Sequence, residues 1–131
     1  MRNSLHHVHA FASDVDASVS FYTEVFGGEM ILDEVLAGAR NVFIRIGDGR
    51  LHLYDQPPRH AGTGSIHHLG IRTDDMAGMV EKLQRHGVPL RKPVTELGGW
   101  RYVMVPAPDG VLIELFEVTL EKLPPQLVGY F

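Results

Sequence analysis

The chain has 131 residues, a formal charge of −4, 44% hydrophobic and 21% charged residues, and no cysteine. That length holds one modest domain, or two small repeats sharing a core, in a balance ordinary for globular proteins. Disulfides, thiolate metal sites and a cysteine nucleophile are excluded, and scattered basic residues in an acidic chain give no electrostatic reason to bind nucleic acid or an anionic membrane.

No stretch reaches the roughly 20 apolar residues of a membrane span. Met1 to Ala12 lacks a continuous apolar run, so no cleaved signal peptide is expected and the cysteine-free chain suits the cytoplasm. Residues 5–12 alternate around Val8, Ala10 and Ala12, the period of a strand. Ser13 with Asp16 resembles a capping box, and Val15, Ser18, Val19, Tyr22 and Phe26 form a helical apolar stripe that Gly27-Gly28 stops. Strands are predicted at 29–36, 41–46 and 50–55, the last two joined by a Gly47-Asp48-Gly49 turn. Residues 56–64, rich in Gly and Pro, read as a linker. The pattern then recurs as a strand over 65–72 and a helix over 75–86, with Met76, Met79, Val80 and Leu83 inward and Gly87 as its stop. Further strands are expected at 90–95, 101–106 and 111–117, with Pro106-Ala107-Pro108-Asp109-Gly110 as a turn. The predicted organisation is a βαβββ module over 1–55, the linker, a second βαβββ module over 65–117, and a tail over 118–131. The apolar tail, ending Leu127-Val128-Gly129-Tyr130-Phe131, is too short for its own core and is expected to dock on a partner subunit or cover the site's mouth.

The recurrence is visible in the letters themselves. At an offset of 61, Leu5-His6-His7-Val8 lies over Ile66-His67-His68-Leu69, Asp14 over Asp75, Arg40-Asn41-Val42 over Arg101-Tyr102-Val103, and Asp48-Gly49 over Asp109-Gly110. Past that turn the offset grows by one, which sets His52-Leu53-Tyr54 over Glu114-Leu115-Phe116. Five of the 8 histidines fall in Leu5-His6-His7-Val8-His9 and Ile66-His67-His68-Leu69. Histidine is the commonest metal ligand, so the runs mark a candidate site.

Strand parity sorts the side chains. Val8, Ala10, Ala12, Leu69, Ile71, Ile113 and Leu115 should face the helices. His7, His9 and Phe11 take the other face of the first module, with His52 and Tyr54. His68, Gly70, Arg72, Leu112, Glu114 and Phe116 take the equivalent face of the second. A pseudo-twofold bringing the two faces together would gather His7, His52, His68 and Glu114. Glu114 sits in the apolar run Val111-Leu112-Ile113-Glu114-Leu115-Phe116, where a carboxylate costs several kcal/mol unless it is paired or bound to metal.

The runs His7-Val8-His9-Ala10-Phe11-Ala12-Ser13-Asp14, Ile66-His67-His68-Leu69-Gly70-Ile71-Arg72-Thr73-Asp74-Asp75 and Pro108-Asp109-Gly110-Val111-Leu112-Ile113-Glu114-Leu115 resemble the vicinal oxygen chelate superfamily. So do Ala17-Ser18, Phe21-Tyr22 and the Phe26-Gly27 helix end. That superfamily includes glyoxalase I, methylmalonyl-CoA epimerase, fosfomycin-resistance proteins and extradiol dioxygenases. The resemblance spans about residues 5–117. It implies an α+β fold of two βαβββ modules forming a cupped mixed sheet, the glyoxalase/bleomycin resistance/dioxygenase fold. It implies His7, His68 and Glu114 as ligands of a divalent cation: Zn, Ni, Mn, Co or Fe(II). The fourth family position is His52 here, where glyoxalase I has Glu and the epimerase Gln. Extradiol enzymes do not ligate through it, so the resemblance leaves the role of His52 open.

Two imidazoles and one carboxylate suit any of those ions and leave positions for a substrate. The resemblance implies a metal-dependent lyase or isomerase, similar to lactoylglutathione lyase, acting on a small oxygen-rich molecule held bidentately, with Glu114 as the proton-abstracting base. The alternatives are an Fe(II) extradiol-type ring-cleaving dioxygenase and a non-catalytic binder resembling bleomycin-resistance proteins, which usually lack the ligands. A fosfomycin-type transferase ranks below these, since the Ser-rich potassium loop is not evident. His9, Tyr54, Arg72 and Tyr102 are the candidate substrate contacts, and a homodimer is expected, its modules pairing within one chain or by swapping.

Overall fold

The computed structural model describes residues 1–2, 4–60, 66–127 and 129. The elements run β1 (Val8–Ala12), α1 (Val15–Ser20), β2 (Glu29–Leu36), β3 (Ala39–Ile46), β4 (Gly49–Asp55), β5 (Leu69–Arg72), α2 (Met76–Arg85), β6 (Thr95–Leu97), β7 (Trp100–Pro106) and β8 (Leu112–Val118). This is βαβββ twice, in an α+β chain. It divides into two compact units, Met1–Thr63 with Ala107–Gly110 and Gly64–Pro106 with Val111–Phe131. The later linker residues 61–64, Ser65, and Val128, Tyr130 and Phe131 of the tail lie outside the described residues.

The first unit carries a four-stranded sheet in the order β1-β4-β3-β2, with β1 parallel to β4 and the other neighbours antiparallel. Its core is Ala12, Val15, Tyr22, Val25, Val42, Ile44, Leu51 and Leu53, all buried on the helix side. Each large apolar side chain so covered contributes about 1.5–3 kcal/mol before entropy is subtracted. The β2–β3 hairpin turns at Ala37 and Gly38, both at positive φ (53° and 84°). Two such residues are the geometry a two-residue hairpin favours, and alanine tolerates it only at a cost. Buried Asn41 ties the turn down, its side-chain N–H groups donating to the Leu36 and Ala39 carbonyls at 3.0 and 3.1 Å. Arg40 forks onto Asp33 and reaches Asp16 on α1, each contact 2.8 Å, and this pairing holds the Asp33 carboxyl below its ordinary range.

α1 is capped by Asp14, whose carboxylate accepts from the Ala17 N–H at 2.9 Å. Ser13 was the expected cap, but its hydroxyl and N–H both donate to Asp109 instead. The helix also does not stay α-helical to Phe26. Over Phe21–Val25 it widens into a π turn, where the Thr23 hydroxyl donates to the Val19 carbonyl. Such back-bonding distorts the ladder.

The second unit repeats the plan, with sheet order β5-β8-β7-β6 and β5 parallel to β8. Met76 and Leu83 of α2 are buried, as are Val103, Val105, Ile113 and Leu115 of the sheet. Asp75 caps α2 through the Gly78 N–H. Gly87 at φ 67° ends it, with Val88 N–H donating to Leu83 O and Gly87 N–H to Gln84 O, a Schellman closure. Three strands start three or more residues later than expected, and the other strand boundaries fall within two residues of expectation. β1 and β5 begin three and four residues late, at Val8 and Leu69, where their parallel pairing with Leu51 and Ile113 begins. β6 begins at Thr95 rather than 90, after Pro93, which has no N–H to give a ladder.

Candidate metal centre

The ladder registers reproduce the sequence repeat. His9 faces His52 between β1 and β4, and Gly70 faces Glu114 between β5 and β8. Phe43 faces His52 and Met104 faces Glu114 across the antiparallel pairs. His52 and Glu114 therefore occupy one position in two copies of a sheet, and the residue that lengthens the offset from 61 to 62 lies in the turn between β7 and β8. His7 and His68 each sit one residue ahead of the first strand of their unit.

In the first unit, the His52 ring is sandwiched. His7 stacks on one side, with centroids 4.0 Å apart and planes 14° apart, and Phe43 stacks at 3.7 Å and 11°. Burial, then the neighbouring His7, His9 and His6, hold the His52 imidazole below its ordinary pKa and so toward the neutral form. His9 lies beside His52 and Tyr54, at 6.2 and 5.7 Å between centroids, and Phe11 meets Tyr54 edge-on. His7 Nδ1 is 3.1 Å from His6 Nδ1.

In the second unit, His68 Nε2 lies 3.1 Å from Glu114 Oε2. The other carboxylate oxygen, Oε1, accepts from the Trp100 indole N–H at 3.2 Å. Trp100 in turn stacks on Phe116, with centroids 5.1 Å apart. The Glu114 side chain is 19% exposed, so the pairing satisfies a carboxylate largely removed from water. His68 Nδ1 is 2.8 Å from His67 Nδ1. Arg72 is exposed at the end of β5, opposite Phe116, and Tyr102 is half-buried on β7, opposite the same ring. Among the described residues no three His, Asp or Glu side chains gather as a metal cluster. The donors come as a pair in each unit.

A family model described as the Glyoxalase/Bleomycin resistance protein/Dioxygenase superfamily matches residues 4–115. The chain belongs to this superfamily. Within curated proteins it is similar to the uncharacterized protein YwbC of Bacillus subtilis, at 28% identity over 89% of this chain and 99% of that one. Among solved structures it is similar to the fosfomycin resistance protein FosX of Listeria monocytogenes. One of these is a mutant complexed with Mn(II) and 1S,2S-dihydroxypropylphosphonic acid, with TM-score 0.79, 20% identity, and coverage of 93% of this chain and 97% of that one. TnmS3, an antibiotic binding protein from a Streptomyces species, gives TM-score 0.74 at 27% identity, covering 91% of this chain and 99% of the other.

Superfamily members can hold a divalent ion, as the Mn(II)-bound FosX structure does, so the donors can be tested for fit. Two ligands at right angles, each about 2.1 Å from an ion, stand about 3 Å apart. The His68 Nε2 to Glu114 Oε2 separation of 3.1 Å matches. The His7–His52 stack does not, since lone pairs lie in the ring planes and two nearly parallel rings stacked with centroids 4.0 Å apart do not aim at one ion. One of those two rings has to turn for both to ligate. Trp100, His6 and His67 are contacts that strand parity did not single out as part of the site. Trp100 lies on the neighbouring strand, 14 residues before Glu114 and opposite Val118, and only its side-chain hydrogen bond relates the two.

Proposed function

We propose that this chain is a metal-dependent lyase or isomerase of the superfamily, acting on a small molecule that offers two adjacent oxygens to a divalent ion. The observation that carries this reading is the His68 Nε2–Glu114 Oε2 pair at 3.1 Å, with Glu114 braced by Trp100. In the proposal His7, His68 and Glu114 hold Zn, Ni, Mn, Co or Fe(II), within one chain or across a homodimer, and His52 joins them on leaving its stack. The bound ion would supply Lewis acidity toward the substrate's oxygens. Glu114, held through Oε1, would act as base only when Oε2 is free of the ion, taking a proton from the carbon beside a polarised carbonyl and returning it to the neighbouring carbon. Because His52 stands in Glu114's equivalent position, the chain offers a single carboxylate base there, and the path is one-base. His9 and Tyr54 in one unit, and Arg72 and Tyr102 in the other, would contact substrate.

The comparisons support parts of this. The ligand complexed with the FosX mutant alongside Mn(II) is a 1,2-diol by its name, the oxygen pattern the proposal asks for. TnmS3 supports a small molecule as the partner. A cytoplasmic setting is supported by the absence of cysteine. No helix among the described residues is long and apolar enough to cross a membrane. Exposed Ile31 and Val35 on the edge strand β2 support a subunit contact. The test is metal analysis of the purified protein, followed by turnover of hemithioacetals with each ion in turn. Metal retention with isomerised or cleaved product is expected. Oxygen uptake with catechols on Fe(II) loading, and no turnover of hemithioacetals, would replace this reading with the dioxygenase.

A further inference from the structure

The two tandem histidine pairs are the feature the proposed function does not absorb. His6 and His7 meet Nδ1 to Nδ1 at 3.1 Å, and His67 and His68 do the same at 2.8 Å. The rings are edge-on in both, at 87° and 80°, with centroids 5.3 and 5.1 Å apart. One contact between neighbouring exposed side chains would carry little meaning. The same atoms at the same angle in both units, 61 residues apart, is a repeated construction. Both pairs also stand just ahead of a strand, where no ladder orients the side chain.

We propose that His6 and His67 are positioning residues, each fixing the ring orientation and tautomer of the histidine that follows so that its Nε2 is the nitrogen offered to a cation. The inference rests on the metal-dependent reading above. Only one Nδ1 of each touching pair can carry the hydrogen. A neutral His68 that gives its Nε2 lone pair to a cation must hold its proton on Nδ1, and the acceptor in reach is His67 Nδ1. Without a cation, His68 can instead donate from Nε2 to Glu114 Oε2 and accept at Nδ1 from His67. The pair thus has two arrangements with the same number of protons, and His67 serves both, as acceptor or donor. A partner on the non-ligating nitrogen is what sets the tautomer and aim of a metal-binding histidine.

The test compares the full chain with H67F and H67N, and with H6F and H6N, using Zn(II) alone in competition with a chromophoric chelator. Both sites are exposed, and melting curves verify that each variant folds. Asparagine offers an acceptor oxygen close to where Nδ1 lies, whereas phenylalanine offers none. The Phe variants should bind Zn(II) about 10- to 100-fold more weakly, the cost typical of losing such a partner, with the Asn variants staying near wild type. Long-range proton–nitrogen spectra of the Zn(II)-loaded wild type should place the His68 proton on Nδ1. Phe variants that bind as tightly as wild type, Asn variants that fall as far as Phe, or a His68 proton on Nε2 in the loaded protein would overturn the inference while leaving the metal reading intact. A wild-type chain that takes up none of Zn, Ni, Mn, Co or Fe(II) would sink both.

Discussion

The indole nitrogen of Trp100 lies 3.2 Å from Oε1 of Glu114 and donates to it, which leaves Oε2 turned to His68. A hydrogen bond to a charged acceptor is worth about 1.5–3 kcal/mol. Trp100→Phe keeps a ring to stack on Phe116 but removes the donor. The expected result is a Zn(II) dissociation constant raised about 10-fold and stability lowered by about 1–2 kcal/mol. Chelator competition and urea unfolding read the two effects separately. Wild-type affinity in the variant would mean that the indole has no part in holding the carboxylate.

Glu114→Gln keeps an oxygen that can accept from Trp100 and loses the anionic donor. Metal per chain and turnover should both drop to background, with stability changed by less than about 1 kcal/mol. Elemental analysis beside a melting curve checks this. A variant that retains its metal and turns over substrate would contradict the assignment of Glu114 as ligand and base.

Tyr22 makes the chain sensitive to alkali. Its phenol is 2% exposed, and burial first, then the charge of Asp109, raise its pKa from 10.0 to about 12. A group whose folded pKa lies above its unfolded one stabilises the fold fully below pH 10, and that contribution is lost as pH climbs to 12. At about 1.4 kcal/mol per pH unit, the loss is about 2–3 kcal/mol. Urea unfolding at pH 9 to 12 should show that slope in wild type and a flatter one in Tyr22→Phe. Equal slopes would remove Tyr22 as the cause.

Gly27 and Gly28, which end the first helix, should respond differently to alanine. Gly27 has a φ of 67° and open space around its Cα, so alanine there costs backbone strain of about 1–2 kcal/mol. A Cβ at Gly28 would come within 2.7 Å of Ile44 Cγ2 and 2.9 Å of the Tyr22 carbonyl oxygen. The core has to move, at about 1–3 kcal/mol on top of any loss from the Gly28 N–H bond to that same carbonyl. Thermal unfolding should rank Gly28→Ala below Gly27→Ala, and the reverse order would show that the helix end relaxes freely.

Much of the fold was legible because the chain states its pattern twice. The offset of 61, growing to 62, needed no knowledge of pairing, and the registers His9–His52 and Gly70–Glu114 carry the same arithmetic. Parity also sorted the buried residues of β4 and β8 from those on the other face, since Leu51, Leu53, Ile113 and Leu115 are all buried. What escaped was decided by local competition. Ser13 and Asp14 both look like caps, and Ser13 was claimed by Asp109, which is 96 residues away. The helical stripe to Phe26 concealed the π turn, because an inserted residue alters the hydrogen bonds more than the composition. Trp100 gave no sign of its role, since nothing in its neighbours announces that its N–H points at a carboxylate four residues from its direct ladder partner, Val118.

The shared ladder position of His52 and Glu114 has a further consequence. Two side chains of opposite charge tendency stand on equivalent backbone, each between a parallel and an antiparallel neighbour in matching register, so the interstrand ladder does not depend on which of them it carries. Position 52 is therefore an electrostatic dial: its occupant can pass between neutral, basic and acidic side chains without breaking a single interstrand bond. Chemistry on this frame can diversify one letter at a time while the architecture stays still.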